Sequence, residues 1–397
     1  MTVNVADYIN YGQNAVNEAV KSCFENGGGT VNVPNGQWKS GPIHLESNIE
    51  LHLEDNAEII FSDNPDDYLP AVFTRWEGME CYNYSPLIYA NGKENIKITG
   101  KGTLYGSGEK WWSWKLLQQE AANELCYAES NGVDVSKRVY GTKQTALRPS
   151  FIQPINCKNV TLSDFTIVDG PQWTIHPVYC DNVHIKGVTV RTDGHNTDGL
   201  NPDSCENVLI EDCDFSTGDD CIAINSGMNE DGMRVARPCK NIEVRNCTMR
   251  FGHGAVVIGS AISGGVENIY MHDCKIFGTM QGIRLKSMRG RGGYIKNVRF
   301  ENIEINDVTD QAIQINMFYE FSTVTPKTDT PSEVDGVVIK NVWGKGAKLG
   351  IQIKGLPEMK LKNIELSDIS LAANAALLCT DVESIKLNNV NIREVQK

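Results

Sequence analysis

One internal repeat constrains this chain more than any other feature. An Asn followed by Val or Ile and a short alternating run recurs as Asn95-Ile-Lys-Ile, Asn159-Val-Thr-Leu, Asn182-Val-His-Ile, Asn207-Val-Leu-Ile, Asn241-Ile-Glu-Val, Asn268-Ile-Tyr-Met, Asn297-Val-Arg-Phe and Asn363-Ile-Glu-Leu. The successive spacings are 64, 23, 25, 34, 27, 29 and 66 residues. One unit therefore takes about 21 to 34 residues, and the two long gaps hold extra material. Within a unit, apolar and polar residues alternate and Gly or Asn punctuates, as in Val183-His-Ile-Lys-Gly-Val-Thr-Val, which predicts strands and turns rather than helices. Short strands returning at this period bury their apolar faces by stacking, coil on coil at about 4.8 Å. The expected fold is all-β, a right-handed parallel β-helix of about ten coils. A propeller, the main rival, has longer and more regular repeats. The anchor asparagines are read as a structural ladder inside the turns.

An open stack exposes strand edges and needs covers. Ala15 to Phe24 (AVNEAVKSCF) carries apolar residues at helical spacing before a Gly27-Gly28-Gly29 stop, which predicts an N-terminal capping helix. Between Gly106 and Arg148 the strand pattern lapses, and a partly helical insertion begins with Trp111, Trp112 and Trp114. It is long enough to shape a cleft. Residues 1–397 are expected to form a single catalytic domain, with this insertion (about 106–148) flanking the groove. The cysteines follow the repeat too. Four of the twelve open its phrase, at Cys157, Cys180, Cys205 and Cys239, and Cys213, Cys247 and Cys274 recur a few residues after an anchor. Cysteines at one phase read as small stacked hydrophobes and mostly free thiols, which favours a reducing compartment. No C-x2-C pair suggests a metal site.

Residues at one offset from the anchor Asn point from the same part of successive coils. Asp198 lies 16 after Asn182, Asp219 and Asp220 lie 12 and 13 after Asn207, His253 lies 12 after Asn241, and Arg284 and Lys286 lie 16 and 18 after Asn268. The coil before adds Trp173 and His176, at 14 and 17 after Asn159. With turns of unequal length, these groups are expected along one line about 20 Å long, the size of a groove for a polymer segment. Three carboxylates in adjacent coils cannot all ionise easily, so at least one should be raised in pKa and available as an acid. Two carboxyl groups of unlike pKa are what glycoside hydrolysis requires. Asx turns and a Ca2+ site are the competing readings of clustered aspartates. Against calcium, His253, Arg284 and Lys286 make a poor shell for a hard cation. Their charge fits an anionic substrate, with the Arg fork suited to a carboxylate.

Total charge points the other way. The 397 residues carry 37 Lys plus Arg against 50 Asp plus Glu, a formal net charge of −13, which argues against nucleic acid or anionic lipid as partners. Yet residues 284–299, RLKSMRGRGGYIKNVR, hold six Lys or Arg and no acid. Screening beyond about 8 to 10 Å makes such a basic island, rather than the total, decide whether a polymeric acid binds. No run of eighteen apolar residues exists to span a membrane. The start shows no basic segment followed by an apolar run, so a cytoplasmic location is expected, or a secreted or periplasmic one if a leader has been removed.

Four motifs, in order, resemble the polygalacturonase family of glycoside hydrolases, family 28: N-T-D at Asn196 to Asp198, G-D-D at Gly218 to Asp220, G-H-G at Gly252 to Gly254, and R-L-K at Arg284 to Lys286. The resemblance extends from Gly41-Pro-Ile-His-Leu onward and implies a right-handed parallel β-helix. It also implies inverting, metal-free hydrolysis of α-1,4 bonds between galacturonate units, with no cofactor. By the resemblance Asp219 is the general acid, Asp198 with Asp220 activates water, and His253 tunes the cluster. Arg284 and Lys286 hold a substrate carboxylate, and Tyr319 looks like the family's binding tyrosine. Asn196, Trp173 and His176 complete the expected substrate-binding set.

Gly41-Pro-Ile-His-Leu, Tyr84-Ser-Pro-Leu-Ile-Tyr, Arg291-Gly-Gly-Tyr294 and the insertion look most like bacterial exo-acting members, which implies exo action on pectic polysaccharide or oligogalacturonides. Asn225, where those relatives often have Lys, and a shorter N-terminal strand region are departures. Endo action, a rhamnogalacturonan or xylogalacturonan hydrolase, a Ca2+-dependent pectate lyase and a non-catalytic carbohydrate-binding β-helix are the alternatives. Oligomeric state is not legible in the chain.

Overall fold

The computed structural model describes residues 1–142, 145–319 and 330–395. It is a right-handed parallel β-helix, and the repeat explains its register residue by residue. The residue after each anchor Asn sits directly on its counterpart in the next coil. Ile96 pairs with Val160, then Val183, Val208, Ile242, Ile269, Val298, Val337, Ile364 and Ile385 follow in one column. All but Ile385 are buried, and each such side chain contributes about 1.5–3 kcal/mol of apolar burial. The core is thus a set of stacked columns inside the coil, with polar residues alternating outward.

The anchor asparagines hold the turns. Each adopts the left-handed conformation, with φ between 51° and 58° from Asn95 through Asn363, which Asn tolerates better than other L residues. Their amides hydrogen-bond up the stack: Asn159 Nδ2 donates to Asn95 Oδ1 at 2.9 Å, Asn182 to Asn159 at 3.2 Å, Asn241 to Asn207 at 3.1 Å, and Asn297 to Asn268 at 2.7 Å. The ladder steps sideways twice, where Asn207 donates to Asp181 and Asn363 to Asp335. All twelve cysteines are free and eleven are buried. Those at the head of the repeat stack as small core residues whose thiols meet backbone carbonyls, as Cys180 Sγ does Pro154 O at 3.2 Å.

The predicted cap is the helix Ala15–Glu25, which turns Ala15, Val16, Ala19, Val20 and Cys23 onto the first coils. At the opposite end Ile385 and Leu387 of the last strand, Ile385–Glu394, are exposed.

Two excursions leave the coil and build a wall above it. The insertion folds into the short helices Gly108–Trp112 and Trp114–Leu117 and the longer Gln119–Ser130. Trp111 is buried edge-on against Tyr68, Tyr84 and Trp114, and Trp112 Nε1 donates to Gly170 O. These two rings therefore pack. The second excursion is an antiparallel hairpin, Val72–Trp76 with Met79–Asn83, turning at Glu77-Gly78. It is pinned to the solenoid by a buried ion pair, Arg75 to Asp203 at 2.9 Å. Helix Gln119–Ser130 is locked in turn to helix Asn229–Val235, since Glu129 accepts from Asp231 N at 3.0 Å and Asn229 Nδ2 at 3.3 Å.

Candidate active site

Between this wall and the coil lies a cavity of about 380 Å3. The coil supplies Trp173, Asn196, Asp198, Asp219, Asp220 and Lys286, with Asn225 and Tyr319 beside them. The hairpin adds Trp76, Glu77 and Met79, and the insertion adds Lys115, Gln118, Ala122 and Cys126. The three aspartates of two separate motifs thus share one space.

The backbone explains why Gly stands in or beside the Asp198, Asp219 and His253 motifs. Gly199 N donates to Asp220 O at 3.0 Å, and Cys221 N to Gly254 O at 2.8 Å, so the three motif segments lie side by side. A Cβ at Gly199 would meet Cys221 O at 2.5 Å, and one at Gly254 would meet Val257 Cγ2 at 2.3 Å and Asp220 Oδ1 at 2.9 Å. A Cβ at Gly252 would meet Asp219 O at 2.5 Å. The Gly-His-Gly spacing therefore lets the His253 coil lie close against the two aspartates.

Each carboxylate has a different environment. Asp220 is buried and firmly paired: Gly254 N donates to Oδ1 at 2.7 Å and Lys286 Nζ to Oδ2 at 2.8 Å, with Arg284 Nη1 3.8 Å away. Asp198 is buried, with one donor, Asn201 Nδ2 at 2.7 Å. Burial, and then the charges of Asp219 and Asp220, push its carboxyl well above the usual range. Asp219 faces the other way. Burial pushes it up, but the His253 hydrogen bond and the Lys286 charge outweigh this and hold it below the usual range. His253 Nδ1 lies 2.9 Å from Asp219 Oδ1, while the ring is half exposed at the rim. Asp219 raises His253 through that bond, against burial. The raised carboxyl of the trio is Asp198, and not Asp219, on which the family resemblance places the acid.

Asn196 links this chemistry to the insertion. Its Oδ1 accepts from Lys115 Nζ at 2.5 Å and Arg148 Nη2 at 3.0 Å, which turns Nδ2 toward Asp219 Oδ2 at 3.4 Å. Arg148 is itself fixed by Gln118 Oε1 and the carbonyls of Pro171 and His195. Neither Lys115 nor Arg148 was singled out by the repeat. They lie within and at the end of the insertion, outside any phase, and no sequence signal marks them. Glu77 is likewise outside the coil; its signal is a Glu-Gly pair between two short segments that each carry aromatic and apolar residues.

Three expectations need correction. His176 does not reach the cavity. It is fully buried, with Nδ1 accepting from Gln153 Nε2 at 2.9 Å and Nε2 facing Asp203 Oδ2 at 3.5 Å, so it belongs to the clamp under the hairpin. Trp173, its ring neighbour at 4.7 Å, does line the cavity. Secondly, the site residues do not form one line. Gly254 pairs with Gln281, while Arg284 pairs with Val257 and Gln314. The cationic pair stands a few residues farther along its strand and reaches back with long side chains. Arg284 Nε donates to Gln314 Oε1 at 2.9 Å, and both cations lie over the Tyr319 ring, at 5.6 and 5.0 Å. Thirdly, the basic island is largely neutralised, by partners across the stack and one along its own strand. Arg289 pairs with Glu358, Lys296 with Glu333 and Arg299 with Glu301. Of its six cations, Lys286 and Arg291 line the cavity.

Among the described residues, no group of three His, Cys, Asp or Glu is arranged to hold a metal ion. The family model described as "Glycosyl hydrolases family 28" matches residues 23–391. A hyperthermoactive exopolygalacturonase from Thermotoga maritima has a solved structure that superposes with a TM-score of 0.94 at 36% identity, over 99% of this chain and 92% of that one. A family 28 exopolygalacturonase of Yersinia enterocolitica superposes with a TM-score of 0.74 at 27% identity, over 98% and 78%. Among curated sequences, a probable polygalacturonase of Vitis vinifera is 29% identical across 94% of this chain and 74% of its own length. Several other plant relatives match over about half of their own length.

Proposed function

Since the chain belongs to glycosyl hydrolase family 28, we propose that it hydrolyses α-1,4-galacturonosyl bonds of polygalacturonate from a chain end. The observation that carries this reading is the convergence of Asp198, Asp219, Asp220 and Lys286 on one cavity that the hairpin and the insertion wall in. A space of about 380 Å3 suits a small ligand or a terminal segment better than a through-running polymer. The Thermotoga and Yersinia relatives are both exopolygalacturonases by name.

The environments divide the labour. Asp220, which accepts from Lys286 and the Gly254 amide, keeps free lone pairs on both oxygens and takes a proton from the attacking water. Asp198 orients that water. Asp219 protonates the leaving glycosidic oxygen, and its proton arrives across the bond from His253. In the open site this pair favours imidazolium and carboxylate. A sugar covering the rim removes water, which favours the neutral pair and moves the proton to Asp219. Water adds to C1 as the glycosidic C–O bond breaks. Afterwards Asp220 returns its proton to solvent, and the Asp219–His253 pair regains one. Arg284, Lys286 and Tyr319 meet the sugar carboxylate.

The pectic substrate is the partner this site requires. The buried thiols suit a reducing compartment, so we place the enzyme inside the cell, acting on galacturonide fragments. The test is incubation with polygalacturonate in the presence of a chelator. Reducing ends appearing without ultraviolet absorbance support hydrolysis. Activity that vanishes with chelator, or products that absorb, would point to a lyase instead.

A further inference from the structure

Glu77 is a fourth carboxylate in the cavity, and the hydrolytic mechanism does not use it. It occupies the first central position of a two-residue hairpin turn, at φ 45°, followed by Gly78 at φ 87°. Turns with positive φ at both positions favour Asn, Asp or Gly at the first. A Glu there is strained, and such strain points toward function where the surroundings enforce it. They do. Arg75 Nε and Met228 N both donate to Gly78 O, at 3.1 and 3.0 Å, and Arg75 is anchored to Asp203. The tip is thus fixed to the solenoid with its side chain toward the aspartates.

The chemistry around Glu77 is selective. Its Oε1 accepts from Gln172 Nε2 at 3.1 Å, and the other amide atom of that buried residue, Gln172 Oε1, has no hydrogen-bond partner among the described residues. Burial pushes the Glu77 carboxyl up, and Lys115 and Arg148 partly offset this. A carboxylate placed here repels the substrate's own carboxylates, so the sugar group it meets is a hydroxyl. A hydroxyl both donates and accepts, and suits either protonation state.

We propose that Glu77 recognises the chain terminus by accepting a hydrogen bond from the free 4-hydroxyl of the non-reducing terminal galacturonate. Inner residues have no such hydroxyl, because their O4 carries the glycosidic bond. The assignment rests on the exo-hydrolase reading above and sharpens it: the enzyme selects saturated ends and rejects ends that lack the 4-hydroxyl.

The test compares kcat/KM on saturated trigalacturonate and on the trimer with a 4,5-unsaturated non-reducing end, using the full chain. The wild type should prefer the saturated trimer by about ten- to a hundredfold. In Glu77→Ala the saturated-to-unsaturated ratio should fall toward one, through loss on the saturated trimer. Glu77→Gln, which keeps an acceptor oxygen, should fall between. A wild-type ratio near one, or equal losses on both trimers in either variant, would overturn the assignment while leaving exo hydrolysis standing. A ladder of long products from wild type on polygalacturonate would overturn exo hydrolysis itself, and the assignment with it.

Discussion

His253 Nδ1 and Asp219 Oδ1 are 2.9 Å apart, and this contact sets where a proton rests beside the reacting bond. Asp219 is held low and His253 is raised, so the pair keeps one proton well above the pH at which an isolated carboxyl would lose it. The alkaline limb of kcat/KM should therefore follow the raised imidazole. In His253→Ala, Asp219 must hold the proton alone, and the limb should move to lower pH with a loss of about 10²-fold or more in kcat. A pH–rate profile checks both. An unmoved limb would separate His253 from the acid.

Lys286 contributes to stability as well as catalysis. Its ammonium is buried against Asp220 at 2.8 Å, and removing one partner of a buried pair costs about 3–5 kcal/mol. Lys286→Ala should lower the urea midpoint clearly. It should also raise KM and lower kcat together, because Asp220 loses the donor that fixes its carboxylate in place. A rise in KM alone would restrict Lys286 to holding substrate.

Gly254→Ala tests the close approach of the coils. Its new Cβ would lie 2.3 Å from Val257 Cγ2 and 2.9 Å from Asp220 Oδ1, so the strand or the carboxylate must shift. Displacements on this scale cost about 10²-fold in rate. Activity should fall by that much while circular dichroism retains the β signal. Near-normal turnover would show that Asp220 tolerates movement.

His176 should govern acid stability rather than activity. Burial depresses its pKa, with Asp203 only partly compensating and Arg75 adding to the fall. Below an unfolded value of 6.5 the unfolded chain takes up a proton that the native ring refuses, so stability falls as pH drops. The slope is at most about 1.4 kcal/mol per pH unit, and it ends at the folded pKa. His176→Gln should flatten unfolding free energy between pH 7 and pH 5 relative to wild type. An unchanged slope would mean the ring is protonated when folded.

The contrast between His176 and the aspartates shows what the chain reveals about itself. Anchor Asn, core Val or Ile and the three Gly-bearing motifs around Asp198, Asp219 and His253 obey the coil period, so their places in the fold and the gathering of Asp198, Asp219 and Asp220 were legible from spacing. The period gives the coil but not the side of it a residue faces. His176 shares the phase of Trp173 yet points beneath the hairpin. Arg284 and Lys286 lie a few positions beyond the Gly254 column and meet Asp220 only through side-chain length. Arg289 and Lys296 read as part of a basic island because their partners, Glu358 and Glu333, are far off in sequence, and Arg299 because Glu301 stands just past the end of the segment. Glu77, Lys115 and Arg148 belong to excursions that obey no period, and only their folded contacts bring them to Asn196 and Asp219.

The most direct test of the account is the length distribution of early products from long polygalacturonate, for wild type and for Asp219→Asn. The wild type should release monomer or dimer alone while the residual polymer stays long. Asp219→Asn should bind oligogalacturonide comparably but turn over at least about 10³-fold more slowly. A ladder of intermediate oligomers at early times, or near-normal turnover by Asp219→Asn, would contradict the account.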